Sequence, residues 1–229
     1  MQIKTHIAVS VDGFITSRDG LPSILSMPDF DPARTHGYPE FIATCSAVVM
    51  GRTTFEPALD APRWPWPGLD VFVLTTRPLP AWTPSHVIAA ASPADLLGLM
   101  REAKLPGDVH LFGGQRTIQA FRDLNALDSL GIVVVPVLLG DGVRLTAPGS
   151  DGLRLRLDSS RAFPDGSVEH VYTPADPIRL ATLPAGDASR APALFRSPPP
   201  GETGPAPRPA SGARRRPGRC PGRRPAARG

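Results

Sequence analysis

Apolar positions along the chain fall into short runs, each closed by a turn signal or followed by an amphipathic stretch. Ile3 to Ser10 alternates and then turns apolar, as a buried first strand would. Asp12-Gly13 and Arg18-Asp19-Gly20 are turn signals. Residues 20–38, rich in Pro, Asp and Ser, read as a loop long enough to carry function. Glu40 to Thr44 is expected as the end of a helix, Ala47 to Met50 as a strand and Thr53 to Leu59 as a short helix. Pro62, Trp64, Pro65, Trp66 and Pro67 make residues 60–68 an irregular surface loop. Val71 to Thr75 and His86 to Ala90 follow as strands. Ser92 as N-cap and Pro93 at the first helical position then open a helix that runs to Ala103. Val109 to Phe112 is a strand and Thr117 to Leu124 a helix. Leu130 to Leu139 is a valine-rich strand interrupted at Pro136. Leu153 to Ser159 and Val168 to Thr173 form the arms of a last antiparallel pair around Pro164-Asp165-Gly166. Strands alternating with helices predict an α/β fold. Its central sheet is mostly parallel with helices on both faces, and antiparallel strands close the C-terminal edge.

Composition divides the chain. Residues 175–229 contain 12 Pro, 11 Arg and 7 Gly against 3 acids, with Phe195 as the sole aromatic. Such a segment buries too little apolar surface to offset its ordering entropy, so a disordered basic tail is expected after a domain spanning 1–174. Of the chain's 25 basic and 21 acidic residues, 14 and 18 remain in residues 1–174. The basic character therefore belongs to the tail and gives no reason to read the domain as a nucleic-acid binder. The tail's Arg214-Arg215-Arg216-Pro217-Gly218-Arg219 could meet nucleic acid or anionic lipid, but lacks aromatics for stacking on bases. An idle extension and a shifted reading frame through GC-rich coding sequence both yield the same composition. Cys45 and Cys220 suggest neither a disulfide framework nor a metal site, and a reducing cytoplasmic compartment is expected. No run approaches the ~18 apolar residues of a membrane span.

Three junctions after predicted strands carry residues suited to phosphate. In Val48 to Glu56, VVMGRTTFE, a strand meets Gly51, Arg52, Thr53 and Thr54 at a helix start. Free N–H groups and the helix dipole favour an anion there, although a plain turn with a capping threonine has the same pattern. Leu74 to Arg77, LTTR, places Thr75, Thr76 and Arg77 after a strand. Phe112 to Thr117, FGGQRT, sets Gly113 and Gly114 before a helix carrying Arg116 and Thr117. In an open parallel sheet ligands bind beyond the carboxyl ends of the strands, where all three fall. Together they indicate a nucleotide with several phosphates. Neither G-x-G-x-x-G nor a P-loop is present. The histidines 6, 36, 86, 110 and 170 lack metal-ligand spacing, so no metal is expected.

These junctions, with SVDGFI (Ser10 to Ile15) and PVLLGDG (Pro136 to Gly142), resemble the dihydrofolate reductase-like superfamily. The similarity is closest to the branch containing the C-terminal reductase domain of the bifunctional riboflavin-biosynthesis deaminase/reductase, and covers about residues 2–173. It implies a three-layer fold and an NADPH-dependent reductase acting on a pyrimidine- or pteridine-like molecule, commonly a homodimer. It places Arg52, Thr53 and Thr54 on the cofactor's phosphates, with Arg52 near the 2′-phosphate and Thr75, Thr76 and Arg77 flanking it. Gly51 lets the backbone approach. Gly113, Gly114, Arg116 and Thr117 would cradle the pyrophosphate, and Ala8 and Ile15 would border the nicotinamide. Reduction also needs a proton source. Asp12 would approach substrate or cofactor, and Asp31 is a candidate donor beside Asp29 and Glu40. Arg34, His36 and Arg144 are candidates for a ribosyl phosphate. Leu21-Pro22-Ser23 replaces the Pro-Trp of folate enzymes, which counts against dihydrofolate as substrate. A nucleotide-binding or regulatory module without turnover, or a reductase with an unrelated acceptor, is the alternative on the same fold.

Overall fold

The computed structural model describes residues 1–31 and 33–175. The tail expectations therefore lie outside the described residues. Eight strands form one sheet: β1 (Ile3–Ser10), β2 (Cys45–Gly51), β3 (Asp70–Leu74), β4 (Val87–Ala90), β5 (Asp108–Gly113), β6 (Ser129–Val135), β7 (Leu155–Ala162) and β8 (Val168–Pro174). Four helices connect them: α1 (Tyr38–Ile42), α2 (Arg52–Leu59), α3 (Pro93–Glu102) and α4 (Gln115–Asp123). The strand order is β4-β3-β2-β5-β1-β6-β8-β7. The first six strands in that order run parallel, and β8 and β7 are antiparallel at one edge. This is the predicted architecture.

The continuous apolar runs of β2 and β3, and the apolar β5 interrupted by His110, belong to the centre of the sheet, where both faces are covered. On one face α3 and α4 place Leu96, Met100, Ile118 and Phe121 over Val49, Phe72, Val109 and Leu111. On the other, Phe55 of α2 and Trp66 of the Pro/Trp loop pack on Val48, Met50, Val71 and Val73. That loop is irregular as expected, but Trp66 is buried because the face beneath it would otherwise be bare. Each fully buried Phe contributes up to about 3 kcal/mol. Farther along the same face, Met27 and Ile24, from a short 3-10 turn (Ser23–Ser26), cover Ala8, Val133 and Val135. That turn was not legible inside the Pro/Asp/Ser-rich segment. β6 stops at Val135 because Pro136 cannot continue the ladder. Ser92 caps α3 by accepting from the Asp95 N–H at 3.0 Å.

Candidate functional site

The carboxyl ends of β2, β3 and β5 bring the three junctions together. α2 and α4 begin directly after Gly51 and Gly114, and neither N-cap has a side chain to satisfy the first-turn N–H groups. Neither first turn holds an acidic residue. These helix starts differ from α3 in having no side-chain cap, so although the Thr117 N–H is taken by the Gly114 carbonyl, their positive dipole ends face an anion uncapped. They also lie side by side. A methyl group on Gly51 would sit 2.7 Å from Thr117 Oγ1, and one on Gly114 would sit 3.7 Å from Thr54 Oγ1. Gly113 has a φ of +122°, which only glycine adopts without strain, and its bond to Gly114 is cis. Thr53 and Arg116 are exposed, Thr54 is half-buried and Thr117 is buried between the two helix starts.

Arg52 ties the first junction to the second. Its guanidinium pairs with Glu56 at 2.7 Å and donates to the carbonyls of Arg77 at 3.1 Å and Pro78 at 2.6 Å. Thr75 Oγ1 accepts from the Arg77 N–H and folds that loop back on itself. Arg52 is thus committed to protein partners, while Arg77 is exposed without an ion-pair partner among the described residues. Thr76, beside it, is exposed as well.

Asp12 stands beyond the end of β1 and works as a latch. Its carboxylate accepts from Ser10 Oγ at 2.6 Å and from the N–H groups of Leu139 and Gly140 at 3.1 and 2.7 Å. These donors, with Ser10 foremost, hold its pKa down at about 2. A carboxylate so held is ionised at neutral pH and carries no proton to donate. Arg144 reinforces the latch by donating to the Asp12 carbonyl at 3.0 Å and lying over the Phe14 ring. Ile15 is buried beside it, its N–H bonded to the Val143 carbonyl at 2.7 Å. Asp141 pairs with Arg18 and accepts from its own turn, as a hairpin connection would. Asp31 lies elsewhere, accepting from the Ala33 N–H at 2.9 Å in a surface turn and facing Arg34 at 3.7 Å. Arg34 and His36 share a cavity of about 510 Å³ with Arg161 and Asp165. Arg144 is separated from them, at the Asp12 latch.

Three scattered histidines converge on the face covered by α1. His6 of β1 and His110 of β5 meet around Tyr38 and Phe41, and the carbonyl of His36, in the loop before α1, reaches His6 while its ring packs on Phe163. His6 Nε2 lies 3.1 Å from both the His36 carbonyl and Glu169 Oε1. Glu169 also pairs with Arg161, and His36 pairs with Asp165 at 2.6 Å. His110 is sealed in, and burial drives its pKa down to about 3. No sequence spacing signalled this group, because its members come from β1, a loop, β5 and β8. Among the described residues no cluster of three or more ligating side chains could hold a metal, and no helix is long and apolar enough to cross a membrane.

Residues 2–168 match the model of the RibD C-terminal domain. The chain is 30% identical over 166 residues to the uncharacterized Bacillus subtilis (strain 168) protein YwjB, covering 71% of this chain and 94% of that one. Over 184 residues it is 24% identical to Bacillus subtilis YyaP, covering 75% and 94% of the two chains. A candidate riboflavin biosynthesis protein from Shewanella sp. PV-4 superposes with a TM-score of 0.66 at 26% identity, over 76% of this chain and 99% of that one. The Thermotoga maritima diaminohydroxyphosphoribosylaminopyrimidine deaminase/5-amino-6-(5-phosphoribosylamino)uracil reductase shares the fold, with a TM-score of 0.56 and 17% identity. There the similarity spans 76% of this chain and 56% of the longer bifunctional one. With a family match over most of its length and the dihydrofolate reductase-like sheet to go with it, the chain belongs to the RibD C-terminal domain family.

Proposed function

We propose that this protein is an NADPH-dependent reductase of the riboflavin-biosynthesis type, transferring hydride to a pyrimidine- or pteridine-like small molecule. The observation that carries this reading is the pair of glycine-capped helix starts meeting beyond the sheet. Their N–H groups have no side-chain caps, and a single methyl group on Gly51 would encroach on the space between them. That arrangement fits the pyrophosphate of a dinucleotide: Gly51, Thr53 and Thr54 on one side, Gly113, Gly114, Arg116 and Thr117 on the other. The cofactor supplies hydride; the chain binds, orients and provides the proton. Ala8 and Ile15 then border the nicotinamide where β1 ends, with the face beneath Met27 and α1 left to the acceptor. The Asp12 latch shapes that end by holding the 139–140 backbone.

The 2′-phosphate falls to Arg77, Thr75 and Thr76, with Arg52 holding their loop in place. Calorimetry tests this directly. Arg77→Ala should weaken NADPH at least about tenfold and leave NADH nearly unchanged, about 1.4 kcal/mol of discrimination. Arg52→Ala should weaken both, because the released loop and the freed Glu56 disturb the whole helix start. Absence of NADPH binding by the wild-type protein overturns the reductase reading. Equal loss of NADPH and NADH in Arg77→Ala removes the role given to that residue.

A further inference from the structure

Asp12 is latched as a carboxylate, while Asp29, Asp31 and Glu40 lie toward solvent, so these four acids offer no buried proton donor. Protic groups do stand on the acceptor face of the sheet. His6 lies two residues before Ala8 on β1, so both side chains leave the same face. In the sheet register Ala8 pairs with Val133, Val133 with Glu169, and Glu169 with Arg161, forming one row across four strands. His6 pairs with Gly131, which has no side chain, and a Cβ there would already press on the Thr5 carbonyl at 2.7 Å. The gap at Gly131 lets the imidazole reach across β6 to Glu169 on β8. We propose that His6, oriented by Glu169 and the His36 carbonyl, is the proton donor to the acceptor reduced at this site, an inference that rests on the reductase reading.

The surroundings suit the role. The ring is faced by Glu169 from β8, the His36 carbonyl from the loop, Tyr38 and Phe41 from α1, and His110 from β5; directly beside it β6 places Gly131. Arg161 reaches the ring only through Glu169. Nε2 is taken by Glu169 and the His36 carbonyl, so Nδ1 has no hydrogen-bond partner among the described residues. The other histidines of the cluster are committed elsewhere: His36 is bound to Asp165, and His110 is sealed and neutral. Burial lowers the His6 pKa below 6.5, while Glu169 and the His36 carbonyl push back up. Its neutral form therefore predominates at neutral pH, and its protonated form grows as pH falls. Reduction of a C=N bond takes hydride onto carbon from NADPH, which becomes NADP⁺. The π pair moves to nitrogen and takes a proton from the His6 imidazolium, which is left as neutral imidazole and regains a proton from solvent.

The test pairs single-turnover NADPH oxidation, using 5-amino-6-(5-phosphoribosylamino)uracil as acceptor between pH 5 and 9, with NMR titration of the histidine rings in the protein without ligands. In the wild type the rate should fall as pH rises through the His6 pKa. His6→Gln should lose about 100-fold or more and lose the pH dependence, with NADPH affinity unchanged. Glu169→Gln should move both the rate limb and the His6 ring titration to lower pH, because the supporting negative charge is gone. A His6→Gln variant with wild-type rate and pH profile overturns the proposal and leaves the reductase reading standing. A His6 titration indifferent to Glu169→Gln overturns the positioning by Glu169. A wild-type protein that binds no NADPH overturns the reductase reading and this inference with it.

Discussion

Gly51→Ala tests whether the two glycine-capped helix starts form one cradle. Gly51 has φ −83° and ψ 161°, which alanine adopts freely, so any penalty is steric rather than conformational. The new methyl group would lie 2.7 Å from Thr117 Oγ1, several tenths of an ångström inside ordinary contact. Thr117 is buried in the first turn of α4, where a helical threonine has few rotamers, so the helix start itself must move. Overpacking of this kind costs about 1–3 kcal/mol. For a domain of this size that lowers Tm by about 2–12 °C, at ~2–4 °C per kcal/mol. Urea unfolding of Gly51→Ala, Thr117→Ala and the double variant closes a cycle. Removing Oγ1 should relieve the methyl group, giving a favourable coupling of about 1 kcal/mol or more between the two changes. NADPH affinity should fall in Gly51→Ala and recover partly in the double variant, because the displaced helix start is the one argued to hold phosphate. Additive effects within about 0.5 kcal/mol would refute the close approach of α2 and α4 and the cradle built on it.

The sealed His110 makes a separate prediction for pH. Its folded pKa of about 3 lies below the ordinary histidine value of 6.5, so the unfolded chain binds the extra proton between those limits. The resulting penalty is absent above pH 6.5 and grows as pH falls, by about 1.4 kcal/mol per unit, reaching roughly 2 kcal/mol at pH 5. His110→Phe, whose ring suits the edge contacts with Phe41 and Phe112, should flatten denaturation midpoints between pH 4 and 6.5. An unchanged slope would show that His110 titrates normally. Asp12→Asn removes the ionised acceptor from the latch, so hydrogen exchange at the Leu139 and Gly140 amides should accelerate while amides in β2 and β5 keep wild-type protection. Unchanged exchange at residues 139 and 140 would contradict the latch.

Most of the sheet was legible because its signals are local. Continuous apolar runs in β2 and β3 need no partner to be recognised, and Ser92-Pro93 marks a helix start by its own capping chemistry. Pro136 ends β6 for the same reason: a missing N–H is a property of one residue. Boundaries drifted where pairing extends a strand past its apolar stretch, as in β7, which runs on to Ala162 against β8 although nearly every residue is exposed. The 3-10 turn at Ser23–Ser26 was hidden because it is held by contacts with Phe14 and Ile15 rather than by helical propensity.

The candidate site divides along the same line. By itself the sequence determined which residue types stand after each strand: glycine, arginine and threonine at three turns, on the edge where a parallel sheet opens to ligands. Those identities are chemistry, and chemistry is written residue by residue. Only the tertiary structure decided who faces whom. Arg52 gives its guanidinium to Glu56 and two carbonyls, while Arg77 stays exposed without an ion-pair partner among the described residues. Asp12 turns its carboxylate onto the 139–140 backbone, 127 and 128 residues away along the chain. His6 finds Glu169 across β6, whose residue beside His6 is Gly131. Hydrogen bonds act over about 3 Å and are indifferent to separation along the chain, so no reading of neighbours in sequence can specify them.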